Sequence, residues 1–381
     1  MGTRTTAVTS RSSRTRRSLA VALAAVTSAG LVATAPADAS GAPPGGGRSH
    51  TGPGGRVLAD SVLAPFQVSV HGMDHVYYTD GFAGTVNLVR PGADQVLAQV
   101  QGEIAGVELT PDRRTMAFAG STQSGTSLTI RRAGRPDVVA DLSGYEGQVN
   151  PDRRTTYGVR GSASQCAKDW LKQATGHDAT YSGGVDSHPY QVAYLGRGRW
   201  AVADAAGNDV LGVGRDGRIS TIAVLPPQPV TITPQMASAL GAPDCVAGVT
   251  YAFEPVPTDV ERDGRGNLWV STLPGGPEDA SLGARGSVYK ITPRGAVRRV
   301  ATGFLSATNL AVSRGDVYVS ELFAGRVTKL HHGRRTTVVA VPRPVAVEVK
   351  GHRIYVGQLA DLDLETGAVN GPGSVRVYHR P

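Results

Sequence analysis

Val76-Tyr77-Tyr78-Thr79-Asp80, followed after a short loop by Gly84-Thr85-Val86, decides the fold because the chain keeps repeating it. The phrase returns as Met116-Ala117-Phe118-Ala119 to Gly125-Thr126-Ser127-Leu128 and as Trp200-Ala201-Val202-Ala203-Asp204 to Asn208-Asp209-Val210. Later copies are Leu268-Trp269-Val270-Ser271 to Gly286-Ser287-Val288-Tyr289 and Val317-Tyr318-Val319-Ser320 to Gly325-Arg326-Val327, then Ile354-Tyr355-Val356-Gly357 to Gly373-Ser374-Val375-Arg376. An apolar strand and a tight Gly or Pro turn precede each copy, and valine-rich strands such as Val96-Leu97-Ala98 follow most of them. Runs of β-branched and aromatic residues between such turns read as strands. Four strands per unit, at a period of about forty residues, predict an all-β fold, a six-bladed β-propeller.

The ends of the array fit each other. Val57-Leu58-Ala59 is a valine-rich strand with no strands before it, while the last copy, ending at Val377-Tyr378, lacks a fourth strand. The N-terminal strand is expected to complete the last blade and close the ring, which removes exposed edges. Residues 147–155 repeat the hairpin of Gly106 to Thr115 almost word for word without a convincing third or fourth strand. They read as a half-repeat inside an insertion, with seven blades as the alternative.

Before the array, Arg4, Arg11, Arg14, Arg16 and Arg17 form a basic segment, Leu19 to Val32 an apolar one, and Ala37-Asp38-Ala39 an A-x-A cleavage site. Residues 1–39 therefore read as a secretory signal peptide cut near Ala39, of the Sec type, with twin-arginine export through Arg16-Arg17 kept open. Residues 40–56, rich in Gly and Pro, read as a flexible leader. Residues 57–381 form a single propeller domain with insertions at 143–187 and 225–256, so a secreted, extracellular protein without a transmembrane segment is expected. The net charge of +8, from 39 Lys and Arg against 31 Asp and Glu, loses five arginines and Asp38 with the signal, leaving 34 against 30. The remaining basic residues are scattered in turns, so nucleic acid is excluded as a partner, and a monomer is expected.

The long connections carry the functional information. In a four-stranded blade the fourth-to-first and second-to-third connections emerge on one face of the ring. All four long segments, 143–187, 225–256, 273–286 and 358–373, are of this kind, and loops of that length are commonly functional. Cys166 and Cys245 lie in the two insertions and are the right number for one disulfide in an exported chain. It would tie neighbouring excursions over the channel mouth and close a loop of about eighty residues, worth roughly 3–5 kcal/mol in the chain-entropy model.

Aligning the first strands places Gln67, Gly106, Gln191, Asp259, Asn309 and Ala346 at one level of the channel, with Ser69, Glu108, Ala193, Glu261, Ala311 and Glu348 two positions on. Glu108, Asp259, Glu261, Asn309 and Glu348 are candidate oxygen ligands for Ca²⁺ or Mg²⁺ at the channel entrance. The competing reading has them bonding neighbouring backbones or channel water. His188, beside Asp186, is a candidate general base; a His-Pro pair at a strand start also serves simply to fix a turn. Asp80, Asp204 and Glu321 end second strands in register, and that recurrence marks structural carboxylates that accept turn N–H groups. Trp170, Tyr181, Tyr251 and Phe253, with Asp186, Glu278 and Asp279, are the expected ligand-facing residues of the long-loop face. No G-x-S-x-G, H-E-x-x-H or phosphate-binding loop occurs, which counts against serine and zinc hydrolases.

Two segments carry a family resemblance. Val185-Asp186-Ser187-His188-Pro189-Tyr190 is one; the other runs from Leu240-Gly241-Ala242-Pro243-Asp244-Cys245 through Tyr251 to Glu261 and on to Ser271-Thr272-Leu273-Pro274-Gly275-Gly276-Pro277-Glu278-Asp279. Together they resemble the ScyD/ScyE family of secreted propellers, which implies export and fold without an agreed activity. More loosely, the blade phrase is similar to the NHL-repeat, gluconolactonase and streptogramin-lyase propellers, whose catalytic residues do not match here one for one. The leading expectation is a secreted binding module for an extracellular small molecule, carbohydrate or protein on the long-loop face. The alternative is a Ca²⁺- or Mg²⁺-assisted hydrolase or lyase at the channel mouth. The family context adds a third, a scaffold in secreted metabolite or pigment handling.

Overall fold

The computed structural model describes residues 55–380 apart from 73, 92, 364 and 365. The expected signal peptide and most of the leader therefore lie outside the described residues. Each repeat forms one four-stranded antiparallel sheet. Sheet I comprises Val68–His71, His75–Asp80, Thr85–Arg90 and Ala93–Gln99; sheet II comprises Gly102–Leu109, Thr115–Thr122, Gly125–Arg132 and Val138–Asp141. Sheet III is Pro189–Gly196, Arg199–Asp204, Asp209–Val213 and Ile219–Val224, and sheet IV is Pro257–Arg262, Leu268–Thr272, Gly286–Ile291 and Val297–Phe304. Sheet V is Ala307–Ser313, Asp316–Glu321, Arg326–His331 and Arg334–Ala340. Sheet VI runs Pro344–Lys350, Arg353–Gln358, Gly373–His379, and its fourth strand is the N-terminal Arg56–Val62, paired antiparallel with Gly373–His379.

First strands neighbour one another in the order I, II, III, IV, V, VI and back to I. Apolar clusters fill the gaps between successive sheets because alternate residues of each strand point to opposite faces. Trp200, Val192 and Leu128 belong to the cluster between II and III, and Ala346, Val68 and Tyr355 to the one between VI and I. Polar side chains of the first strands tie the sheets together. Asp259 accepts the backbone N–H of Leu310 at 2.8 Å, and Asn309 accepts that of Val347 at 2.6 Å. Gln67 reaches two neighbours, accepting from Val107 N (2.7 Å) and Val192 N (3.3 Å) while donating to the Val192 carbonyl.

The two insertions form a unit of their own. The first holds helix α1 (Leu142–Val149), Thr156–Arg160, helix α2 (Gln165–Thr175) and Thr180–Ser182; the second holds Gln228–Thr231, helix α3 (Pro234–Ala239) and Thr250–Phe253. Their strands build a further four-stranded sheet in the order Thr180–Ser182, Thr156–Arg160, Thr250–Phe253, Gln228–Thr231. It interleaves two separate segments and has its own core, with Val159, Leu171, Ile232 and Tyr251. Cys166 and Cys245 are disulfide-bonded, Cα–Cα 6.3 Å, joining α2 to the 3-10 turn Asp244–Val246.

The near-verbatim copy at 147–155 does not repeat the structure of 106–115. Its first residues finish α1, which Asp141 caps by accepting the Gly144 N–H, and its middle is a turn closed by Asn150 in the left-handed region. The earlier copy is a true hairpin because its second strand pairs on with Gly125–Arg132 of sheet II; the start of the later one is taken into α1 and has no such neighbour.

Candidate functional site

The starts of five inner strands, or the loops before them, and the loop after the second strand of sheet V make an apolar collar of Ala64, Phe66, Ala105, Tyr190, Val256, Leu322 and Val345. Above it the insertion unit and the 273–286 loop enclose a cavity of about 840 Å³. Segments 143–187, 225–256 and 273–286 all contribute to its wall, whereas 358–373 contributes none of its lining residues. Of the expected ligand-facing residues, Trp170, Tyr181, Tyr251, Phe253, Asp186 and Glu278 line it. Asp279 does not. Its carboxylate accepts the Ser281 N–H at 2.8 Å and caps the 3-10 turn Ala280–Leu282. Tyr251 and Phe253 also belong to the insertion core, so they serve as wall and foundation at once.

His188 lies at the floor, buried, with its ring stacked on Tyr190 at 5.2 Å and Nε2 2.9 Å from Glu103. Burial disfavours the imidazolium and is the largest single influence, but the bond and charge of Glu103, reinforced by Asp204 and Asp186, raise the pKa above its ordinary value. Asp186 does not touch the ring; it accepts the Ser187 N–H. Gln191, also on the floor, donates to the Phe66 carbonyl at 2.6 Å and leaves its own buried carboxamide oxygen without a partner. On the wall, burial pushes Glu278 up to about 7, against the lowering influence of Arg285, and burial lowers Arg285 to about 10. The Arg285 guanidinium stands 4.7 Å from the Phe253 ring centroid and donates to the carbonyls of Gly275 and Pro277, which holds the loop in shape.

Of the five candidate metal ligands, Glu108, Glu261 and Glu348 line one cavity, and Asp259 and Asn309 do not join them there. Asp259 and Asn309 spend their oxygens on backbone N–H groups of the next sheet, Asp259 also accepting from Val260 at 2.7 Å. Glu108, Glu261 and Glu348 face a second cavity of about 630 Å³ at the opposite end of the channel, among the first-to-second strand turns. They stand away from the entrance because two positions along a strand is about 7 Å. Glu108 there accepts from Ser69 Oγ and the Leu109 N–H and lies 3.2 Å from His71 Nε2. Burial and neighbouring carboxylates raise Glu261 well above its usual range, and burial above all takes Glu348 to about 8. Among the described residues no three His, Cys, Asp or Glu side chains are gathered to hold a metal ion.

The recurring carboxylates accept loop N–H groups ahead of their own first strands. Asp80 takes those of Leu63 and Ala64, Asp204 that of His188, and Glu321 that of Leu305. Sequence reasoning missed Glu103, Glu254, Gln191 as a lining group, and His177, whose ring stacks on Tyr181 at 4.3 Å. Glu103 and His188 lie 85 positions apart, and no local pattern joins them.

No protein-family model and no curated protein matches this chain. Solved structures do. A Thermus thermophilus protein assigned as an oxidoreductase (glucose dehydrogenase) is 15% identical, with a TM-score of 0.51 over 85% of this chain and 99% of that one. A protein assigned as a gluconolactonase is 14% identical over 86% and 93%, TM-score 0.46, and virginiamycin B lyase from Staphylococcus aureus with quinupristin is 11% identical over 85% and 98%, TM-score 0.45. The fold is shared with the Thermus thermophilus protein, and the succession of four-stranded sheets in this chain is propeller-like. At such identities the likeness concerns architecture, and activity does not follow from it.

Proposed function

We propose that this chain is an exported six-bladed propeller of the ScyD/ScyE type, closed by its N-terminal strand, that binds an extracellular small molecule or a carbohydrate or peptide chain end in its mouth cavity. The cavity where both insertions and the 273–286 loop converge carries this reading. Its size suits a small ligand, and its chemistry sets the ligand's character. Trp170, Tyr181 and Phe253 offer faces to a ring-bearing body, while Asp186, Glu254, Glu278 and Gln191 offer acceptors to hydroxyl or ammonium donors.

The test uses Trp170, because Trp200 is fully buried and Trp269 lies outside the cavity. Titration of the mature protein with aryl glycosides, oligosaccharides and aryl amines should change tryptophan emission saturably for at least one series. Followed by titration calorimetry, since the first substitution removes the reporter, Trp170→Ala and Tyr181→Ala should each weaken that binding roughly tenfold or more, as loss of a central aromatic anchor does. Absence of binding in all three series, or binding indifferent to both substitutions, overturns the proposal.

The second reading is a hydrolase or lyase acting at the same floor, and the His188–Glu103 pair favours it: a histidine backed by a carboxylate beside an enclosed cavity is a proton-transfer device. It predicts turnover that His188→Ala abolishes while ligand binding persists. Its metal-assisted form draws no support from Asp259 and Asn309, whose oxygens already have partners.

A further inference from the structure

Beneath the insertion unit, where sheet III meets α1, four carboxylates are buried together without a basic partner. Asp204 and Asp209 face each other as partners across the second and third strands of sheet III, which puts both side chains on one face about 5 Å apart. The sister sheets show what this register normally holds. In sheet V the partners are Glu321 and Arg326, ion-paired at 2.8 Å; in sheet I they are Asp80 and Thr85. Sheet III sets a second acid where sheet V has its arginine.

Asp209 is 0% exposed, and neither of its carboxylate oxygens has a hydrogen-bond partner among the described residues. Glu146 of α1 and Asp152, each 1% exposed, both carry one bare buried oxygen. The remaining contacts in the cluster are donors of hydrogen bonds only. Asp204 accepts from Ser187 Oγ, His188 N and Gly207 N, and Asp152 Oδ2 accepts from Tyr157 Oη and Asn208 Nδ2. No salt bridge joins any of the four to a lysine or arginine among the described residues, and the nearby His188 imidazole is paired with Glu103. A buried carboxylate with two bare oxygens is among the costliest arrangements a fold can hold, so its charge must be neutralised there, by a proton or by a cation.

We propose that a hard divalent cation of the calcium class occupies this corner, bound by Asp209 and Glu146 with Asp204, in the place of the guanidinium that serves sheet V. All-oxygen, irregular ligation fits calcium better than magnesium, which keeps several waters and demands a tight octahedron. Because no three of these carboxylates already surround one point, ligation draws Asp209 and Glu146 inward, with main-chain carbonyls or a trapped water filling the shell. The site pins α1 and the start of the first insertion to sheet III. It also stiffens the cavity floor, since His188 and Asn208 hang from Asp204 and Asp152.

The test takes the mature chain through a chelator and then into calcium, magnesium or sodium chloride, reading bound metal by elemental analysis and the melting temperature in each. Calcium should bind at one ion per chain and raise Tm by about 5 °C at a hundredfold excess over Kd; magnesium should do less and sodium nothing. Asp209→Asn, nearly isosteric, should bind no calcium, melt independently of it, and in chelator melt above the unsubstituted protein. Glu146→Gln should lower calcium affinity at least tenfold, and serves if the first variant does not fold. A chain that takes up no divalent ion, or whose Tm ignores calcium, overturns the site and assigns the neutralising charge to protons. Neither result depends on a ligand in the mouth cavity.

Discussion

Gln67 shows how one side chain makes a connection that no strand can. Its oxygen accepts from Val107 and Val192 and its amide donates to Val192, so a single carboxamide joins sheets I, II and III across the channel. Gln67→Ala leaves those backbone groups buried and unpaired and should cost about 3 kcal/mol, read as a lower urea midpoint at unchanged slope. Glu278 gives the pH prediction at the same scale. Its folded pKa, about 7, stands above its unfolded value, so the proton it holds contributes stability that is complete below about 4.3 and lost as pH rises through about 7. Glu278→Gln should flatten that decline. The difference in urea midpoint between variant and unsubstituted protein should therefore grow in the variant's favour from pH 5 to pH 8, and a constant difference would show that Glu278 does not titrate in this window.

Among the elements, the insertion unit is the piece whose stability is separable. Its core is its own, and the Cys166–Cys245 bond crosses 79 positions between its two halves. A double Cys166→Ser, Cys245→Ser variant should lose about 4 kcal/mol of loop-closure stabilisation. The loss should appear in hydrogen exchange as faster opening of 143–187 and 225–256, with the sheets I to VI protected as before. Uniform loss of protection across the six sheets would mean that the unit and the ring unfold as one. This scale also marks a limit of reading by words. Gly147 to Thr155 spells a hairpin that it does not form, because a hairpin is stable only beside further strands, and Asp141 starts a helix just ahead of it.

For the whole molecule, the strand Arg56–Val62 lies along Gly373–His379 as the outer strand of sheet VI, the place of the closing piece in the proposed ring. Removal of residues 1–54 should leave melting unchanged, whereas removal of 1–62 bares the backbone edge of the last sheet and should lower Tm and promote aggregation, measurable by scattering on heating. Equal melting of the two truncations would deny that strand a closing role.

Alternating strand patterns and turn residues are local information, written afresh in each repeat. The sequence by itself therefore determined the four-stranded units, their order, the structural carboxylates at Asp80, Asp204 and Glu321, and the N-terminal partner of the last sheet. It also located most of the cavity wall, through the long loops that must emerge together. Only the tertiary structure decided that the two insertions share one sheet, that His188 meets Glu103, that Glu261 and Glu348 face the far end of the channel, and that Asp209 is buried without a partner among the described residues. Those contacts join residues far apart along the chain with no period between them, so nothing short of packing the sheets around their axis brings them together.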